Sequence, residues 1–287
     1  MDYLRLSRFQ CRRLIGCRRL SSRRQERRER KHQLWLNRHN PELEKAARRE
    51  ELFVPLETVR EDWLGHTGPY HIRDAVRHYG VYEHVFGGTE FIPEVDVHIE
   101  YDNGHVVKRG NHIGPSQCLR PPNVKFNFGG DALWTVILTN PDGDFQSVDN
   151  EVLHWLLCNV SSDGGVNTAH THCPYIPPFP PKGTGYHRLV FSIFHQSSRL
   201  TLPSKSYDRF EDRIFSTNEF WSKHSSVIRP VGIHFFQTSW DSSVTSTFQD
   251  ILGLKEPAYD IEKKVTKRKQ RQKVQTKKFN QKHSLVV

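Results

Sequence analysis

Residues 95–101 alternate strictly. Val95, Val97, Ile99 and Tyr101 are apolar, and Asp96, His98 and Glu100 between them are polar. A strand turns successive side chains to opposite faces, so this stretch predicts a strand with one face buried and one wet. It runs directly into Asp102-Asn103-Gly104. Asn-Gly accepts the positive φ angles of a type I′ turn, and Val106 and Val107 bring the chain back. Apolar runs follow at 133–139, 153–160, 189–194 and 231–240, separated by loops rich in Pro, Gly, Asp and Ser. Strands spaced by loops favour an antiparallel β-sandwich over a parallel βαβ fold. Two helices fit near the end, one over 218–224 and one starting at Asp241. Asp241 is a good N-cap there, and Val244, Phe248, Ile251 and Leu252 share one face.

Ahead of the β region the pattern is helical. Residues 34–52 favour helix, with Pro41 in a first turn followed by Glu42, Glu44 and then Arg48 and Arg49, and Pro55 breaks it. Residues 57–63 read as further helical turns. Gly68-Pro69 punctuates, and Ile72, Val76 and Tyr79 fall on one face of a helix stopped by Gly80. This front third has no pattern of a large independent core and is expected to wrap on something. The organisation is therefore a basic segment over 1–52, a helical extension over 53–90, a β domain over 91–260 and a basic tail over 261–287. The tail alternates Lys/Arg with Gln, Thr and Val and reads as disordered until it meets a partner.

Charge separates along the chain. The whole protein carries +10. Residues 1–31 hold twelve Lys/Arg against three Asp/Glu, and 263–287 hold ten Lys/Arg and no acid. The body between them is net acidic. Basic ends of this density suit a polyanion, most often nucleic acid, because each neutralised phosphate releases counterions. The contact candidates are Lys263, Lys264, Lys267, Arg268, Lys269, Arg271 and Lys273. The first 25 residues hold eight Arg and one acid, Asp2, with Leu4, Leu6, Phe9, Leu14 and Ile15 interspersed. That composition is how a mitochondrial import segment looks, and it has no secretory apolar core. No stretch approaches the roughly 20 apolar residues of a spanning helix. Five cysteines without paired spacing imply no disulfide framework and a reducing compartment.

The block 134–191 carries the most specific signal. Asn140-Pro141-Asp142-Gly143-Asp144 follows a strand, and His154 opens the next apolar strand before Asn159. Pro177-Pro178-Phe179-Pro180-Pro181-Lys182-Gly183-Thr184-Gly185-Tyr186-His187-Arg188 then leads into a third strand. Three motifs in this order resemble the phosphatidylethanolamine-binding protein family. Phe236-Gln237 and Trp240-Asp241 look like its closing strand and helix. The resemblance implies a mainly β fold, an antiparallel β-sandwich with flanking helices. It also implies a pocket for phosphate-type anions, with Asp142, His154, Pro180, Pro181, Gly185 and His187 at the matching positions. Imidazoles and loop amides are donors to an anion, and glycines let the backbone approach it.

Several replacements thin that pocket. Asn140 stands where the first Asp of the turn belongs and Asp144 where a Pro belongs. Leu189 replaces an aromatic, usually Tyr, and Phe179 puts a bulky ring at the mouth. The site therefore reads as a remnant that carries no catalysis and needs no cofactor. The runs 54–63, 68–71 and 78–82, with 91–93, 175–180 and 235–245, extend the resemblance to the family's mitoribosomal branch. That likeness implies a matrix protein of the large ribosomal subunit whose partners are mitochondrial rRNA and neighbouring ribosomal proteins. The alternative it leaves is a free regulator that binds an anion or a phospholipid headgroup. His170, His172 and Cys173 near Cys158 lack a second clean pair for zinc. Asn159-Val160-Ser161 matches a glycosylation acceptor but sits at a strand end without a secretory signal. No Gly-x-Ser-x-Gly motif, P-loop or dinucleotide fingerprint is present.

Overall fold

The computed structural model describes residues 20–53, 55–126, 132–144, 147, 150–162, 166–257 and 259. The tail candidates Lys263 to Lys273 and most of the import-type segment lie outside the described residues. Helix α1 spans Leu20–Arg38 and α2 Pro41–Arg48. The helical stretch expected over 34–52, with Pro41 in a first turn, divides at Asn40. Its side-chain oxygen accepts from the Glu42 and Leu43 amides, which starts a new helix with Pro41 in the first turn. Helices α3 (Leu56–Gly65), α4 (Gly68–His78) and α5 (Val81–Val85) follow. Gly80, between α4 and α5, has φ 64°, a left-handed angle that glycine adopts without strain.

Strands β1 (Val97–Tyr101) and β2 (His105–Val106) form the predicted hairpin, and Asn103 and Gly104 both take positive φ. Then come β3 (Arg109–His112), β4 (Asn123–Phe126), β5 (Leu133–Asn140), β6 (Glu151–Ser161), β7 (His170–Cys173) and β8 (Tyr186–Gln196). After them lie β9 (Ile214–Phe215), α6 (Thr217–His224), β10 (Ile228–Ser239) and α7 (Ser243–Ser246). The small sheet runs β2-β1-β4. The large one runs β3-β10-β8-β5-β6-β7, with β9 also on β6. Every ladder is antiparallel except β3–β10, so the sandwich contains one parallel pair.

Period-two alternation explains why the central strands read as unbroken apolar runs. Val136, Leu138, Leu189 and Phe191 face the small sheet and meet Val97, Ile99 and Tyr101. Ile137, Val190 and Phe235 face the other way and meet Ile72 and Val76 of α4, and Val81, Val85 and Phe86 in and after α5. A sheet covered on both faces has no wet side, and its strands lose their polar half. The front helices thus wrap on the outer face of the large sheet. Arg60 of α3 is tied in as well. It and Arg109 each reach the Asp96 carboxylate at 2.6 Å, and Asp96 is 7% exposed. His234 beside them accepts the Val97 amide through Nε2 at 3.2 Å, and burial lowers its pKa to about 3, so it stays neutral.

Two expectations change in detail. Ser242, not Asp241, precedes α7, although the Asp241 carboxylate accepts the Ser243 amide at 2.9 Å. α7 passes into a π-type turn over Thr247–Ile251. That wider turn keeps Val244, Phe248 and Leu252 buried and rotates Ile251 to 49% exposure. Asn159 is committed internally at φ 57°. Its amide donates to the Leu200 carbonyl, and its oxygen accepts from the Leu200 amide and Gln196. Among the described residues no helix is long and apolar enough to cross a membrane.

Glu151 is buried at the start of α6, where the amide and hydroxyl of Thr217 donate to its carboxylate at 2.7 and 2.9 Å. Burial raises its pKa from 4.5 to about 7 against those bonds. A raised folded pKa adds stability below about pH 4.5 and loses it as pH rises to about 7, because the native state binds the proton more tightly than the unfolded chain. Denaturant unfolding across this window should show the native protein losing up to about 3 kcal/mol through this group. Glu151→Gln should remove that part of the slope, and an unaltered slope would refute the assignment.

Candidate functional site

The sequence-predicted site residues converge at one end of the large sheet. Asn140 closes β5 and is followed by the Pro141–Asp144 turn. His154 sits in β6, and the loop from Pro177 to Gly185 leads into β8, which opens with Tyr186, His187 and Arg188. Pro180 and Pro181 are buried in the wall, while Gly185 is exposed with φ 87°. Gly143 permits the turn because a Cβ there would lie 2.8 Å from a Val152 methyl and 3.0 Å from the Asn140 amide nitrogen.

Asn140 determines how His187 is protonated. The Asn140 side-chain oxygen accepts the Asp142 amide at 3.0 Å, which fixes the carboxamide and turns its NH2 toward His187 Nδ1 at 3.1 Å. An NH2 group only donates, so Nδ1 is the acceptor and the ring proton sits on Nε2. Nε2 then donates to the Thr184 hydroxyl at 2.7 Å, and that hydroxyl donates to the Pro181 carbonyl at 2.8 Å. The relay runs in one direction from Asn140 to the loop backbone. An aspartate would run it in reverse. The replacement of the turn's first Asp by Asn140 does not leave the imidazole unheld. The carboxamide still orients the ring, with the opposite tautomer. Burial, aided by Arg188 and opposed by Asp142, takes the His187 pKa down to about 4.

His154 is fully buried. Its Nδ1 donates to the Ile176 carbonyl at 3.0 Å, which leaves Nε2 an acceptor with no hydrogen-bond partner among the described residues. Burial lowers its pKa to about 3. The Phe179 ring lies 5.0 Å from the imidazole and packs edge-on against Phe248 at 5.4 Å. Leu189 belongs to the core between the sheets, so its replacement of an aromatic bears on packing rather than on the donor set of the site. At neutral pH the Nε2–H of His187 is spent on Thr184, and the buried His154 Nε2 carries a lone pair, not a proton.

Asp142 is also engaged. Its carboxylate receives the Arg188 amide at 2.8 Å, Nε at 2.9 Å and Nη2. Burial acts to raise this carboxyl, but Arg188 outweighs it and holds the group below the ordinary carboxylate range. Arg188 then reaches past the site. Nη1 donates to the Tyr79 carbonyl and Nη2 to His84 Nδ1, both at 2.7 Å. The C-terminal segment closes the other side. The Tyr259 amide donates to the Lys182 carbonyl at 2.8 Å, the Lys182 ammonium lies 5.0 Å over the Trp240 ring, and Glu256 accepts from Trp240 and Thr245. Arg188, Thr184, Tyr79 and His84 were not among the expected site residues. The His-Arg pair in the motif pointed to Arg188. Nothing local points to Tyr79 or His84, more than 100 residues earlier in the chain.

Asn140→Asp should move the His187 proton to Nδ1 and raise its pKa by at least about one unit. Nitrogen-15 NMR of the imidazole reads both, and an unchanged tautomer would contradict the relay. Arg188→Gln should cost on the order of 1–3 kcal/mol in denaturant unfolding, because the half-buried Asp142 carboxylate loses its charged hydrogen-bond partner.

The profile of the family described as phosphatidylethanolamine-binding protein matches residues 104–224. Protein SELF-PRUNING of Solanum lycopersicum is 32% identical over 144 residues, which cover 48% of this chain and 81% of that protein. CEN-like protein 4 of Nicotiana tabacum is 33% identical over 153 residues, covering 51% and 82%. Putative odorant-binding protein A5 of Drosophila melanogaster is 25% identical over 179 residues, covering 58% and 84%. Among solved structures, the carboxypeptidase Y inhibitor, complexed with its cognate proteinase, is similar in fold. It has a TM-score of 0.50 and 22% identity over 60% of this chain and 97% of that one.

Proposed function

The chain belongs to the phosphatidylethanolamine-binding protein family, and from that premise we propose that it is a non-enzymatic binding protein, a structural component of the mitochondrial large ribosomal subunit. The observation that carries this reading is the charge map, an acidic body between two strongly basic ends. Such ends thread between phosphates while a folded body docks on protein neighbours. The runs outside the family's own motifs, from 54–63 through 235–245, resemble mitochondrial large-subunit ribosomal protein thirty-eight. The Arg-rich, acid-poor start fits residence in the mitochondrial matrix.

The site chemistry favours the same reading over headgroup binding. Asp142 is neutralised by Arg188, the His187 donor is spent, and Phe179 covers His154. An anion brought there would give up its water for few donors, at a cost of several kcal/mol. One atom favours the second reading, a free regulator that binds an anion or a phospholipid headgroup. His154 Nε2 is buried without a hydrogen-bond partner among the described residues, and a ligand with a hydrogen-bond donor would satisfy it.

Gradient sedimentation of mitochondrial lysate should place the chain with the large subunit, and recovery only in light cytosolic fractions would reject the ribosomal reading. Removing 263–287 should flatten the salt dependence of RNA binding. Six to ten phosphate contacts correspond to about 10³–10⁵ in affinity between roughly 50 and 200 mM salt. Calorimetry with phosphoethanolamine should give no saturable heat at millimolar ligand, and saturable binding would move the conclusion to the second reading.

A further inference from the structure

Helix α1 packs no described side chain into the core, and none of them is buried. At 100° per residue, positions 27, 28, 31, 35 and 38 fall within an arc of about 100°. They are Arg27, Arg28, Lys31, Trp35 and Arg38, all exposed, and no acidic residue falls on that arc. From Arg27 to Arg38 the stripe is about 16 Å long at 1.5 Å per residue. The opposite face is hydrogen-bonded within itself. Glu29 accepts from Gln25, and Gln33 donates to Asn37. Arg30, on the flank, is taken by Asp62 of α3 at 2.7 Å, which ties the helix down and leaves the stripe facing outward.

An aromatic face sits among these cations. The Trp35 indole is 55% exposed and stacks with His32 at 6.4 Å and 9° and lies against His39 at 4.4 Å. The His39 ring is held by the Trp35 carbonyl. An exposed helix of this length with no buried face is marginal by itself and gains its stability from a partner. A membrane surface needs a continuous apolar face. Leu34 and Leu36 instead lie about 160° apart on the wheel. Cations interleaved with an exposed aromatic match a polyanion that has bases to stack.

The geometry points to α1 as an RNA-binding helix. Arg27, Arg28, Lys31 and Arg38 pair with phosphates, and Trp35 stacks on an unpaired base. Resting on the ribosomal reading, this names a surface distinct from the C-terminal tail. The RNA it fits is a loop, bulge or single strand, because the A-form major groove is too deep and narrow to admit the helix and the stacked bases of a regular duplex offer Trp35 no free face.

The test measures fluorescence anisotropy of the full chain against a 20-nucleotide unstructured RNA, a bulged RNA hairpin, a regular RNA duplex and phosphatidylserine-containing vesicles, over a salt series. R27E/R28E/K31E, all at exposed positions, should weaken unpaired RNA at least 10-fold and lower the salt slope by about 2, at 0.7 per single-strand contact. Trp35→Ala should cost about 5- to 150-fold on unpaired RNA with the slope unchanged, and much less on the duplex. Circular dichroism of each variant establishes that the fold is kept. The inference is overturned if the triple variant binds RNA with unaltered affinity and slope, both with the tail and after its removal. It is also overturned if the variant loses vesicles but keeps RNA, or if Trp35→Ala affects duplex and unpaired RNA alike. The assay uses isolated RNA, so its failure leaves co-sedimentation with the large subunit untouched. A chain that binds RNA through α1 but sediments apart overturns the ribosomal reading alone.

Discussion

Arg188 ties the start of β8 to two stretches far from it in sequence, the turn after β5 and the junction of α4 and α5. Its guanidinium grips the Asp142 carboxylate in the turn after β5, the carbonyl of Tyr79 at the end of α4, and the ring of His84 in α5. Its own amide completes the Asp142 shell. The side chain is only 13% exposed, so the charge is tolerable only because each of these partners is present. The same contacts set the position of the site turn, the start of β8 and the helical extension. Gly80 lets the chain turn beside this guanidinium. A Cβ there would come within 3.4 Å of Nη1 at a backbone angle that side chains rarely adopt.

The extension is part of the body because of the sheet it covers. Ile137, Val190, Phe194 and Phe235 project from the outer face of the large sheet. Left open, that face would be a contiguous apolar patch of the kind that drives association. Ile72, Val76, Val81 and Phe86 fill it, and Arg60 pins the helix before them to Asp96. The helical region therefore divides by function. α4 and α5 belong to the core, α3 is an anchor, and α1 is held to α3 through Arg30 with Arg27, Arg28, Lys31 and Arg38 facing solvent.

The site illustrates how one atom changes a pocket's chemistry. A carboxylate and a carboxamide at position 140 are nearly the same shape, but the NH2 group can only donate. It engages the lone pair of His187 Nδ1 and leaves the ring proton on Nε2, which donates to Thr184. Phe179 finishes the change by filling the space against His154 and drawing the loop into the cluster with Val244, Phe248 and Leu252.

Much of the fold was legible in the sequence because its signals are local. Alternation at 95–101 and the Asn103-Gly104 turn specify a hairpin through steric rules that act over a few residues, and the apolar runs mark the central strands. The motif order marked the turn, the two histidines and the loop of the site. Pro41 marked a first helical turn, but the helix Leu20–Arg38 that ends just before it was not separable by propensity, because the residues on both sides favour helix. The π-type turn that exposes Ile251 was missed because periodicity assumes a regular helix. Tertiary structure alone decided the parallel β3–β10 pair, the docking of α4 and α5 on the sheet, and the reach of Arg188 across about 100 residues to Tyr79 and His84. It also decided the proton on His187, since a tautomer depends on which atom of Asn140 faces the ring. Contacts of this kind follow from how distant strands are brought side by side, and no window of neighbouring residues contains that information.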